Sequence, residues 1–208
     1  MKKTILMGLA LVAATMAQAA GDRVFALAPA GDVDAALAEQ VRARIEENSG
    51  AAVRLAPAVP QEPGQTLEAI GRAAARTLAE TDHSIIVLAR AGSDQPQGVC
   101  LPQERFAALN LDRLEAGADA AKLERRATQE GLRVMTMLLE MSPCPFPLCV
   151  LVGYEKTEDL DRMSGNFCPP CLDRFTRVAG KAGLRMIETP VSAAEAAPAA
   201  EPAPVLAE

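Results

Sequence analysis

Cys144-Pro145-Phe146-Pro147-Leu148-Cys149 and, after eighteen intervening residues, Cys168-Pro169-Pro170-Cys171 decide how this chain is read. Two closely spaced cysteine pairs joined by a loop can bring four thiolates around one Zn²⁺ in a closed tetrahedral site. Such an ion holds a fold together and has no open coordination position for chemistry. The spacing therefore points to one structural Zn²⁺ per chain on Cys144, Cys149, Cys168 and Cys171. Disulfides or buried free thiols are the alternatives that the same residues leave open, and they weigh more in an exported chain.

Export is read from the N-terminus. Met1-Lys2-Lys3 precedes an apolar run from Ile5 to Met16 and then Ala17-Gln18-Ala19. A basic start, an apolar stretch and a small-x-small site make residues 1–19 a secretory signal peptide cut after Ala19 or Ala20. The run is too short for a comfortable membrane span, and no later segment is apolar enough for one. The expected location is periplasmic or secreted. Residues 191–208 are almost entirely Ala, Pro, Glu and Val, which reads as a disordered tail without the large apolar side chains that offset chain ordering. Residues 22–190 are then the folded domain.

Removing Lys2 and Lys3 with the signal takes the formal charge from −6 to −8. That excess argues against nucleic acid or anionic lipid as a partner. Aromatic residues are 3% of the chain and Trp is absent, so platforms for stacking bases or sugars are poorly supplied. The expected partner is a protein or another envelope component that the sequence does not specify. Of the five cysteines, Cys100 is the odd one, in Gly98-Val99-Cys100-Leu101, and reads as a small buried apolar residue.

Hydrophobic periodicity gives the fold class. Arg23 to Ala28 is a short apolar run ended by Pro29 and reads as a strand. Asp32 can cap a helix with Leu37, Val41 and Ile45 on one face and Gly50 after its last turn. Ala52 to Leu55 is a second strand, and Leu67, Ile70, Ala74 and Leu78 mark a second helix. Ser84 to Ala89 is continuously apolar, as expected of a strand covered on both faces. Alternation of strand and helix indicates an α/β fold with a partly parallel sheet and crossover helices. Val99 to Leu101 and Leu109 to Leu111 read as edge strands. A long helix is expected from Asp119 to Met141 and a short one from Pro170 to Lys181.

On the cysteine segment the chain resembles the archaemetzincins, zinc metallopeptidases of the metzincin type. Their motif is H-E-x-x-H-x-x-G-x-x-H-C-x4-C-x-M, followed further on by C-x2-C. Cys144 and Cys149 match the C-x4-C, Leu151 stands at the Met position, and Asn166 to Leu172 is similar to the terminal Phe-Cys-x-x-Cys segment. The likeness runs from Val24 to Phe175 and implies a metzincin-like mixed sheet with a long central helix and a C-terminal four-cysteine zinc subsite. It also sets the positions of the catalytic motif, and these are degenerate here. The three His positions hold Arg133, Met137 and Pro143, the Glu position Val134 and the Gly position Glu140. A catalytic zinc of this type needs three imidazoles, an open position for water and a carboxylate to take the water's proton. The only histidine is His83. These departures from the motif imply no catalytic residues, no enzyme activity and a pseudopeptidase that acts by binding or scaffolding, with an active zinc peptidase as the less favoured alternative.

The remaining candidates have plainer readings. His83 is a surface or capping residue at the mouth of a strand. Met135, Met137 and Met141 pack in the core and fill the former cleft with apolar side chains. The charged pairs Glu140 with Arg133 and Glu130 with Arg126 are solvated helix faces. Gly92 to Gly98 lacks the lysine and spacing of a phosphate loop. Cys168-Pro-Pro-Cys171 at a helix start also suits thiol–disulfide exchange. That reading leaves Cys144 and Cys149 unexplained.

Overall fold

Side chains on successive strand residues point to opposite faces, so a strand that is apolar at every position must be covered on both sides. In the computed structural model, which describes residues 21–187, this is how the two longest apolar runs are used. β1 (Val24–Pro29) and β3 (Asp82–Ala89) lie side by side in the middle of the sheet. Phe25, Leu27, Ile86 and Leu88 belong to one core, and Ala26, Ala28, Ile85 and Val87 to the other.

The sheet order is β2-β1-β3-β5-β4. β2 (Val53–Leu55), β1, β3 and β5 (Phe106–Asn110) are parallel, and β4 (Gly98–Leu101) closes one edge antiparallel to β5. α1 (Ala35–Ser49) and α4 (Ala120–Leu138) pack on one face, and α2 (Leu67–Ala75) packs on the other. α3 (Leu111–Leu114) is a single turn, and α5 (Pro169–Lys181) ends the cysteine region. The mixed α/β architecture is the one expected. The expected signal peptide and tail fall outside the described residues. Among the described residues no helix is long and apolar enough to cross a membrane.

Local chemistry explains the boundaries. Asp34 caps α1, its Oδ1 accepting from the Ala36 amide at 2.8 Å, so Asp32 is not the cap. Gly50 ends that helix at φ 68°, a left-handed conformation that costs glycine little. Asp119 caps α4 through the Lys122 amide. The second expected edge strand is corrected: β5 is interior, between β3 and β4. Its five residues are all buried because sheet neighbours on both sides and two core faces surround them.

Gly71 on α2 shows how tightly that layer is packed. A Cβ placed there would stand 2.2 Å from the Phe106 ring on β5. The helix can approach the sheet only because the side chain is missing.

Candidate metal centre

α4 ends where the cysteine segment begins. Glu140 turns left-handed at φ 54°, and the Met141 amide reaches back to the Thr136 carbonyl at 2.9 Å. A non-glycine residue rarely takes this conformation. It stands at the position where the resemblance sets a glycine, so the sharp exit from the helix is present here without the residue that makes it easy.

Beyond that turn the chain doubles back. The Cys144 amide donates to the Leu151 carbonyl at 3.1 Å, and the Val150 amide to the Asn166 carbonyl at 2.9 Å. Cys168 is the N-cap of α5, and Pro169 occupies its first turn, where a missing N–H costs nothing. These contacts gather Cys144, Cys149, Cys168 and Cys171 so that their sulfurs all lie within 4.8 Å of one another. The Cys144 and Cys168 sulfurs are 3.8 Å apart. Two corners of a tetrahedron with metal–sulfur bonds of about 2.3 Å stand about 3.8 Å apart. The four thiols are unbonded to one another, and Cys149, Cys168 and Cys171 are buried.

The surroundings suit thiolates. The Phe146 amide donates to Cys144 Sγ at 3.4 Å, and the Leu151 and Cys168 amides both donate to Cys149 Sγ at 3.5 Å. Backbone N–H of Cys171 lowers the Cys168 pKa, while burial raises those of Cys149 and Cys171. Phe167 stacks on Phe175 with ring centroids 5.4 Å apart, closing the apolar side. The donor set and its spacing fit a bound metal ion. Cys168 and Cys171 are only 7% and 5% exposed, which leaves an external thiol little to attack.

The other motif positions line a groove of about 520 Å³ between α4 and β4, bordered by Cys100, Arg133, Met137, Glu140, Pro143 and Leu151. The cleft is therefore open, which corrects the expectation that methionines fill it. Met135 and Met141 are in the core as expected, but Met137 is 49% exposed on the groove wall because its side of α4 faces outward there. Val134 is buried. Burial pushes the Cys100 thiol up to about 11, so it is protonated and unreactive at neutral pH.

Arg133 does not leave its charge free in the groove. Its Nη1 donates to the carbonyls of Val150 and Val152 at 2.8 and 2.6 Å, and its Nε lies 3.0 Å from Glu130. The guanidinium also sits 4.7 Å over the Tyr154 ring. A catalytic zinc does not fit the residues here: Arg133, Met137 and Pro143 offer no imidazole, and His83 lies at the start of β3.

The reading of Glu130 and Arg126 as a solvated face is corrected by the same geometry, while Glu140 is exposed as expected. Glu130 is 7% exposed and Arg126 1%. Burial raises the Glu130 pKa, opposed by Arg133 and Tyr154. Arg126 grips both Asp161 oxygens at 2.9 Å and donates to the carbonyls of Leu114 and Ala116. A signal was available, since Arg126, Glu130 and Arg133 recur at the spacing of the apolar stripe itself.

The chain matches no protein-family model and no curated protein. Solved structures do resemble it. The fold is archaemetzincin-like. An archaemetzincin from Methanopyrus kandleri superposes with a TM-score of 0.61 at 18% identity, covering 76% of this chain and 96% of that one. A zinc-dependent peptidase from Methanocorpusculum labreanum gives 0.60 at 18% identity, covering 73% and 99%. An archaemetzincin from Archaeoglobus fulgidus gives 0.56 at 18% identity, again covering 73% and 99%. These neighbours run against the expectation that the chain is no enzyme, since a zinc-dependent peptidase is among the solved structures with this fold; at 18% identity the likeness shows the fold.

Proposed function

We propose that this archaemetzincin-like protein is exported, holds one structural Zn²⁺ on Cys144, Cys149, Cys168 and Cys171, and captures an extended polypeptide segment in the groove between β4 and α4. The observation that carries the metal is the cluster of four sulfurs within 4.8 Å. All four ligand positions come from protein, so the ion ties the 144–171 segment to α5 and thereby fixes one wall of the groove. The segment in turn holds Arg133 on α4 through the Val150 and Val152 carbonyls.

Polypeptide capture is supported by the edge strand. β4 has one sheet neighbour, so its outer N–H and C=O groups are available to an added strand. Cys100 and Met137 give the groove apolar lining beside that edge, and Glu140 adds a carboxylate. The signal-like N-terminus supports a partner in the envelope or outside the cell.

The test is fluorescence anisotropy with labelled, unfolded β-casein fragments, and cleavage is followed in the same samples. The parent protein should bind saturably, and Met137→Trp, which fills the groove from an exposed position, should weaken binding about tenfold or more. Equal binding by parent and Met137→Trp would remove the groove from the proposal. Zinc content by elemental analysis should be one per chain in protein purified without chelator.

A further inference from the structure

A separate hollow of about 220 Å³ lies beyond Pro102 and Glu140, and Arg23, His83, Ser84, Gln103 and Arg105 line it. Neither Arg23 nor Arg105 makes an ion pair among the described residues, in a chain whose formal charge is −6. Nine of the other fourteen arginines pair with a carboxylate. Arg105 is held in place instead by two backbone acceptors. Its Nε donates to the His83 carbonyl at 2.8 Å, and its Nη2 donates to the Asp82 carbonyl. Asp82, on which the Arg105 charge acts, is already gripped by Arg54 and the Ala79 amide.

His83 lines the same hollow as these cations. Ser84 Oγ is 2.9 Å from its Nδ1, and Ser84 is buried, so the ring is oriented and Nε2 is the nitrogen left for a ligand. The Phe25 ring supports the other side of the imidazole, with centroids 5.3 Å apart. Burial, then Arg23, then Arg105 lower the His83 pKa, which places both guanidinium charges close to the ring. The one carboxylate on the hollow is Glu140, whose Oε1 accepts from Gln103 Nε2 at 3.3 Å.

We propose that Arg23, Arg105 and His83 form a binding site for a small oxyanion, of the phosphate, sulfate or carboxylate class. Two guanidinium groups and an imidazole N–H on one hollow offer charge-assisted donors to an oxyanion. Arg105 and His83 are fixed before the ligand arrives, so little ordering cost falls on binding. An anion there would offset the two cations and favour the protonated imidazole. The site stands apart from the groove reading, and failure of polypeptide capture leaves it intact.

His83 is the only histidine, so its imidazole resonances report on the site without assignment ambiguity. Sodium phosphate is titrated into the full chain at constant ionic strength, with sodium chloride as the reference. The expected result is a saturable shift of the His83 signals and a raised His83 pKa, with binding about tenfold weaker in Arg23→Gln, an exposed position. Arg105→Lys keeps the charge but loses the two-carbonyl grip, and should weaken binding in a protein that still folds. A His83 response identical in phosphate and chloride, or an Arg23→Gln titration equal to the parent's, would overturn the site. A tripeptide acid and its C-terminal amide, titrated alongside, identify the source of the anion. Tighter binding of the acid than of phosphate assigns the site to a peptide carboxylate, and the reverse assigns it to inorganic anion.

Discussion

Replacing Cys149 by serine should cost the fold more than any other single change in the cysteine segment. Cys149 is fully buried, and its sulfur accepts two backbone N–H groups, from Leu151 and Cys168. With metal bound, hydrogen bonds to the charged sulfur contribute about 1.5–3 kcal/mol each, so losing the metal-bound thiolate removes about 3–6 kcal/mol through these two bonds. A structural zinc adds about 10–16 kcal/mol in small peptides, and one missing ligand forfeits part of that. Domains of this size have about 5–15 kcal/mol in all. The serine hydroxyl remains protonated at neutral pH and cannot replace the thiolate as a ligand. Urea unfolding, with zinc content measured on the same samples, is the assay. Cys149→Ser should lose zinc and at least about 3 kcal/mol, and a chelator should lower the parent's midpoint toward the variant's. Cys100→Ser, outside the cluster, should keep its zinc and lose about 1 kcal/mol or less. An unchanged midpoint in Cys149→Ser, or a parent indifferent to chelator, would refute a metal that holds the fold.

Two further outcomes follow from packing and charge. Gly71→Ala should destabilise by about 1–3 kcal/mol through overpacking against Phe106, which outweighs the gain of about 1 kcal/mol in helix propensity. A urea midpoint at or above the parent's would show that the ring can move aside, and Phe106→Leu should relieve the loss. Asp161 is held down to about 2, first by its hydrogen bonds to Arg126, against an ordinary value of 3.8. A carboxylate depressed in the folded state stabilises above its unfolded pKa, and the contribution disappears as pH falls through the folded value. Stability should therefore decline between about pH 4 and pH 2, and Asp161→Asn should flatten that part of the profile. An unchanged slope in the variant would assign the acid sensitivity elsewhere.

The strands and helices that bury one regular face are legible in the sequence. Val41 and Ile45 on α1, Ile70 and Ala74 on α2, and the unbroken run of β3 all occupy the core as their spacing requires. The capping aspartate of α1 lies two residues beyond the one expected, because Asp32 and Asp34 offer the same side chain to a nearby helix start. β5 reads as an edge because its apolar run is short. Its interior place comes from pairing with β3, a contact between segments far apart in the chain.

The sequence by itself determined the α/β class, the four cysteines as a group and the absence of three histidines, since each depends only on residue type and spacing. Only the tertiary structure decided that the cysteine sulfurs meet, that the cleft beside α4 stays open and that Arg126 and Glu130 are buried. It alone brought Arg23 and Arg105 to His83. Local periodicity fixes which face of an element is apolar. Which charges face each other across two elements depends on how the layers pack, and no spacing along the chain encodes it.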